Sequence, residues 1–215
     1  MNVKKDFFKD SKIKFPAYEP WISNDDKQIV NKALSQSMLT LGPQLEKFEK
    51  DFCKYSKSKY AVAVSNCTAA LHLSLMALGI KKDDEIIIPD LTFVADANAV
   101  LACNAKPVIT DINQNNFFLS ISNLKKNITK KTKAIIPVHI YGQVCNIEEI
   151  LDVAKDNNLK VIEDCAHAVG TFHKSKHVGT LGNTGCFSFY PTKNITTAEG
   201  GMVITNSKQI AEKVR

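Results

Sequence analysis

Residues 60–80 read YAVAVSNCTAALHLSLMALGI. Tyr60–Val64 is a short apolar run rich in β-formers, Ser65-Asn66-Cys67-Thr68 is a polar turn, and Thr68–Leu78 is an apolar stretch of helical length. A strand passing through a tight turn into a helix is the repeating unit of a parallel α/β sheet. The same alternation continues along the chain. Further strands are predicted at Glu85–Ile88, Lys106–Thr110, Lys133–Val138, Lys160–Glu163, Gly185–Phe189 and Met202–Thr205. Helical patterns are predicted at Phe93–Ala102, Ser120–Leu124 and Ile147–Asn157, and upstream at Asp25–Ser35 and Gln44–Tyr55. Strands such as EIII and KAIIPV are apolar without alternation, as expected when both faces of a sheet are covered. The expected fold is α/β: a mostly parallel, mixed sheet of about seven strands with helices on its faces and right-handed crossovers.

The 215 residues exceed the roughly 150 of an average domain, and 44% hydrophobic with 23% charged residues is ordinary for a folded protein. Disorder and a disulfide miniature are excluded on those grounds. No apolar run approaches the ~20 residues of a membrane helix, and MNVKKDFFKDSK lacks the apolar core of a secretory signal. The expectation is a cytoplasmic protein without membrane contact. The net charge is +6, but the single arginine is Arg215, so the bidentate contacts that nucleic-acid readers rely on are missing and no nucleic-acid partner is expected. Six cysteines lie far apart without a CxxC pair and read as reduced thiols. His173 and His177 have H-x3-H spacing, but with no cysteine pair nearby FHKSKHVG reads as a polar hairpin and no metal is expected. At the end, SKQIAEKVR opens a helix with no stop signal, so the chain reads as the front portion of something larger.

Ligands of open α/β sheets sit at the carboxyl ends of strands, and three such ends carry chemistry. In AVAVSNCTAALHL, free N–H groups at a helix start and the Thr68 hydroxyl make an anion site suited to phosphate; the plainer reading makes Thr68 an N-cap. In KVIEDCAHAVG a buried strand delivers Glu163 and Asp164, with His167 three residues beyond. A carboxylate there can bond a protonated heterocycle nitrogen, bind a metal or cap a helix. In GCFSFYPTKNITTAEGGM, Ser188 stands between aromatics and Lys193 follows in an uncharged neighbourhood. Partial desolvation favours the neutral amine, a nucleophile toward carbonyls, over a snorkelling surface lysine. A lysine for an imine, an acid for a pyridinium nitrogen and a helix start with serine for a phosphate are together the needs of pyridoxal 5′-phosphate (PLP). Phe93, after the strand end Pro89-Asp90, is placed to cover the ring or to pack as a core aromatic.

The strings GPQLEKFEKDF, AVAVSNCTAALHLSLMALGI, DEIIIPDLTFVADANAV, KAIIPVHIYGQ, VIEDCAHAVG and FSFYPTKNITTAEGGM resemble, in order and spacing from about Phe15 to the end, the DegT-type nucleotide-sugar aminotransferases, fold type I PLP enzymes. The resemblance implies a Schiff base at Lys193, a pyridinium contact from Asp164, and phosphate contacts from Thr68, Ser188 and the backbone of Cys67, where members usually carry Gly. It implies ring stacking by Phe93 and a place for His167 beside the ring hydroxyl, where many members carry Gln. It also implies an N-terminal arm and first helix over 1–36, a PLP-binding large domain over 37–215, and a smaller C-terminal domain beyond it. The implied activity is ping-pong transfer of an amino group from an amino acid, glutamate in most of the family, to a keto group of a nucleotide-linked deoxysugar. The implied partners are that nucleotide-sugar substrate, the amino-acid donor and a second copy in a homodimer, with polysaccharide biosynthesis as the family's usual setting. Competing readings are a catalytically inactive portion or relative, and a PLP-dependent sugar dehydratase, which carries His where Lys193 stands.

Overall fold

The computed structural model describes residues 18–215; the first part of the predicted N-terminal arm lies outside the described residues. The main sheet has seven strands: β1 (Tyr60–Val64), β2 (Glu85–Pro89), β3 (Lys106–Thr110), β4 (Thr132–Ile135), β5 (Lys160–Asp164), β8 (Thr184–Ser188) and β9 (Gly201–Thr205), in the order β1-β9-β8-β5-β4-β2-β3. Strands β3, β2, β4, β5 and β8 run parallel, and β9 is antiparallel to both β8 and β1. The expected mixed, mostly parallel sheet is therefore present. The predicted strand over Lys133–Val138 stops earlier, at Ile135. Pro137 has no N–H to continue the ladder, and beyond it only an isolated bridge joins Val138 to Asp164.

The helices are α1 (Asn24–Leu34), α2 (Pro43–Ser56), α3 (Cys67–Ala77), α4 (Ala95–Ala102), α5 (Ile121–Asn127), α6 (Ile147–Asp156) and α7 (Lys208–Val214). They divide over the two faces of the sheet because successive strand residues point opposite ways. Ile86 and Ile88 join Leu71, Leu75 and Val100 under α3 and α4, while the intervening Ile87 joins Leu124, Ile147 and Ile150 under α5 and α6. This is why EIII shows no alternation: both sets are fully covered, and each such side chain contributes about 1.5–3 kcal/mol. A third cluster packs Phe52 of α2 against Phe187, Phe189 and Ile204. The FHKSKHVG segment is the expected hairpin, β6 (Phe172–His173) with β7 (Lys176–His177).

The sheet sets the position of the site. Val64 and Ser188 both pair in register with Gly201, and Asp164 pairs with Cys186. The carboxyl ends of β1, β5 and β8 thus meet on one rim, and the end of β2 opens onto the same side. Helix α1 stands apart from this core: none of its residues is buried, and Trp21, Ile29 and Leu34 lie exposed in or beside it.

Candidate active site

A cavity of about 510 Å³ opens over this rim. Cys67, Thr68, Phe93, Asp164, His167, Ser188 and Lys193, seven residues singled out in the sequence, all line it. They come from four segments that are far apart in the chain, and each segment contributes a different kind of group.

The first is the start of α3. Its N-cap is Asn66, whose side chain accepts the Ala69 N–H at 2.8 Å, so Thr68 is not the cap. The Thr68 hydroxyl is left to the cavity, together with first-turn N–H groups that have no partner within the helix. Gly201 makes the tight approach of β9 to this turn attainable: a Cβ at position 201 would meet the Asn66 carbonyl carbon at 2.4 Å and the Cys67 nitrogen at 2.8 Å. Burial, then the nearby Asp164 charge, push the Cys67 thiol well above the usual range, so its side chain is an inert filler and its backbone is the polar group on offer.

Asp164 ends β5 and is buried, with Oδ1 accepting the Ala166 N–H at 2.8 Å. Burial raises its carboxyl above the usual carboxylate range, opposed by the Ala166 bond and by the charges of His167, Lys193 and His139. Glu163, its neighbour, points to the opposite side of the strand. It accepts the N–H groups of Gly179, Leu181 and Gly182 at 2.8, 2.8 and 2.6 Å and pairs with His139 Nε2 at 3.0 Å. Glu163 therefore organises the loop before β8 and does not face the cavity.

His167 is half-buried and fixed by Tyr141, whose backbone N–H donates to Nδ1 at 3.4 Å and whose ring stacks on the imidazole at 5.4 Å and 12°. With Nδ1 accepting, the hydrogen belongs on Nε2. Burial, then the Lys193 charge, hold the imidazole below the ordinary value, against the pull of Asp164. Tyr141 adopts a left-handed conformation (φ 52°, ψ 29°) in the turn Ile140–Gly142, which is how its amide and ring both reach His167.

Lys193 lies in the turn after β8, half-buried, with its N–H on the Tyr190 carbonyl at 2.9 Å. Ser188 ends that strand in the buried layer, and Phe93 places an exposed ring across the opening. The two histidines of the H-x3-H spacing do not converge. His173 lies 3.2 Å from Glu148, and both His177 ring nitrogens contact backbone carbonyls, of Val178 and Val169.

Sequence reading missed three contributors to this arrangement: the cap at Asn66, the Tyr141 brace on His167, and Asp96. The last is the one charged residue of the otherwise uncharged stretch 91–105, a signal that was legible.

The DegT/DnrJ/EryC1/StrS aminotransferase family profile matches residues 20–215. The chain is 44% identical over 199 residues to the GDP-perosamine synthase of Escherichia coli O157:H7, covering 92% of this chain and 55% of that protein. Among solved structures it superposes on Helicobacter pylori PseC, an aminotransferase involved in the biosynthesis of pseudoaminic acid, with a TM-score of 0.88 and 34% identity over 93% of this chain and 54% of the other. The PLP form of the sugar aminotransferase Spr1654 from Streptococcus pneumoniae gives a TM-score of 0.88 at 29% identity, over 93% of this chain and 56% of that one. The chain spans about half the length of the relatives it matches.

Proposed function

This chain belongs to the DegT/DnrJ/EryC1/StrS aminotransferase family, and we propose on that footing that it is the PLP-binding part of an enzyme that transfers an amino group from an amino acid to a keto group of a nucleotide-linked deoxysugar. The observation that carries this reading is the convergence of Lys193, Asp164, Thr68, Ser188, Phe93 and His167 on one cavity. The donor set fits PLP. A helix start with two hydroxyls suits its phosphate, a buried carboxylate suits its ring nitrogen, and an aromatic at the opening suits its face. The cavity is of the size that small-molecule sites have, roughly 300–1,000 Å³.

When bound, PLP supplies an aldehyde that amines attack and a ring that draws electrons from the carbon being deprotonated. The chain's residues do the rest. The N–H of Cys67 and the hydroxyls of Thr68 and Ser188 hold the phosphate at the positive end of α3. Asp164 would meet the protonated ring nitrogen, whose charge would add to those of Lys193 and His139 in holding the buried carboxylate ionised. His167 donates from Nε2 to the ring hydroxyl, and Phe93 shields one face from water. The Lys193 amine anchors the resting cofactor. When free, it would be the base that moves the proton between the donor's α-carbon and the cofactor's C4′.

The amino donor is taken to be glutamate. With Arg215 as the only arginine of the chain, lysines, hydroxyls and backbone groups remain for its carboxylates within residues 1–215. A second copy of the chain is the partner that best fits the uncovered apolar residues Trp21, Ile29 and Leu34. Among the described residues no helix is long and apolar enough to cross a membrane.

The test is reduction with borohydride of purified protein loaded with PLP. Wild type should retain the cofactor covalently at Lys193 and shift its absorbance on addition of glutamate, whereas Lys193→Ala should retain none. A covalent adduct in Lys193→Ala would overturn the assignment. A deoxygenated sugar in place of an amino sugar and 2-oxoglutarate would identify a dehydratase.

A further inference from the structure

Asp96 stands in the first turn of α4, fully buried, one shell behind the cavity wall. Its Oδ2 accepts the Thr92 hydroxyl at 2.6 Å. Its Oδ1 is shut away from water and has no hydrogen-bond donor. The carboxyl that acts on Asp96, through its charge and side chain to side chain, is Asp164. Two acceptors therefore face one another in the protein interior, and a buried acceptor without a partner is costly.

We infer that Asp96 is a positioning residue for Asp164: a neutral carboxylic acid whose O–H is donated to the Asp164 carboxylate. A single proton between the two groups supplies Oδ1 with its missing bond and removes the like-charge contact. The surroundings decide which partner is the anion. Asp164 has the Ala166 N–H and the positive charges of Lys193 and His139, while Asp96 has only the Thr92 hydroxyl. The other titratable groups around the pair are Cys67 of α3, Cys165 after β5 and Cys186 of β8, all thiols raised by burial. In the same direction, burial and then the Asp164 charge push the Asp96 carboxyl well above the ordinary range. A plain helix-start role for an ionised Asp96 would require its free oxygen to accept first-turn N–H groups. Oδ1 accepts none, and the Asp96 N–H itself goes to the Phe93 carbonyl.

The consequence for the cofactor rests on the reading of Asp164 as the partner of the ring nitrogen. A donor behind Asp164 keeps it anionic and holds its plane toward the cavity, so that the ring nitrogen meets a charge and not a neutral acid. The proton shared by the two aspartates, by contrast, is a property of the chain alone.

Infrared difference spectroscopy on the purified, cofactor-free protein tests the pair. At neutral pH the carbonyl stretch of a protonated, buried carboxyl should be present in wild type and absent in Asp96→Asn. No such band in wild type, or one unchanged in Asp96→Asn, overturns the inference. PLP titration tests the role. Asp96→Asn keeps an N–H donor and should bind within about twofold of wild type. Asp96→Leu loses the donor and should bind about tenfold more weakly, with the acid limb of binding moved to higher pH. Equal weakening in the two variants overturns the donor role. Failure of wild type to bind PLP sinks the functional reading instead and leaves the infrared result to decide the pair.

Discussion

Gly201 lies against the backbone of Asn66, so close that a Cβ would stand 2.4 Å from the Asn66 carbonyl carbon and 2.5 Å from its oxygen. The residue that joins β1 to β8 in register is thus also the one that lets the start of α3 settle onto the sheet. Gly201→Ala has to push this turn outward. The expected cost is about 1–3 kcal/mol in urea unfolding, together with a loss of PLP affinity measured by absorbance titration. Unchanged affinity would detach the α3 start from cofactor binding.

Because Asn66 caps α3, the functions of Asn66 and Thr68 are separable. Asn66→Ala should lower stability by about 1 kcal/mol. Thr68→Val should leave stability within about 0.5 kcal/mol and weaken PLP binding about tenfold, as expected for a lost hydrogen bond to a charged phosphate. Unfolding and titration performed on both variants check the split, and the reverse pattern would return Thr68 to a capping role.

Glu163 is fully buried with four hydrogen-bond partners, three of them backbone N–H groups. Glu163→Gln removes the charge that these donors and His139 surround and turns an amide N–H toward one of them. Destabilisation of about 3 kcal/mol is expected by chemical denaturation. It should exceed that of His167→Gln, since His167 is only half-buried.

The folded-state value of His167 lies below the ordinary 6.5 of imidazole. As pH falls past 6.5, the unfolded chain takes up this proton before the folded chain does. The stability due to a neutral His167 is therefore complete above 6.5 and is lost as pH falls through the folded value. His167→Gln should flatten the acid side of the stability profile while keeping an acceptor for the Tyr141 N–H. Melting temperature against pH for both proteins measures this, and identical acid limbs would refute it.

Much of the fold was legible because burial writes itself into residue type. The seven strands of the main sheet were found from apolar runs bounded by turns, and the departures fell where a local rule cut a run short, as at Pro137 in the predicted Lys133–Val138 strand. The candidate site was legible where a polar residue interrupts an apolar background: Asp164 after KVIE, Lys193 after FSFYPT, Thr68 after AVAVSN. Glu163 and Asp164 were indistinguishable in that respect, since both are acids at a buried strand end. The pleat alone sends one to the loop at Gly179–Gly182 and the other to the cavity.

Residue order by itself determined the strand-and-helix alternation, the mostly parallel sheet and the identity of the groups gathered at its rim, because periodicity and local propensity are properties of neighbouring residues. Tertiary structure alone decided what those groups touch. Register brought Val64 and Ser188 to opposite sides of Gly201, the left-handed turn at Tyr141 set the proton on His167, and the packing of α4 against α3, β2 and β3 brought Asp96 up to Asp164. These contacts join residues far apart in the chain, so their geometry is fixed only when the whole core closes.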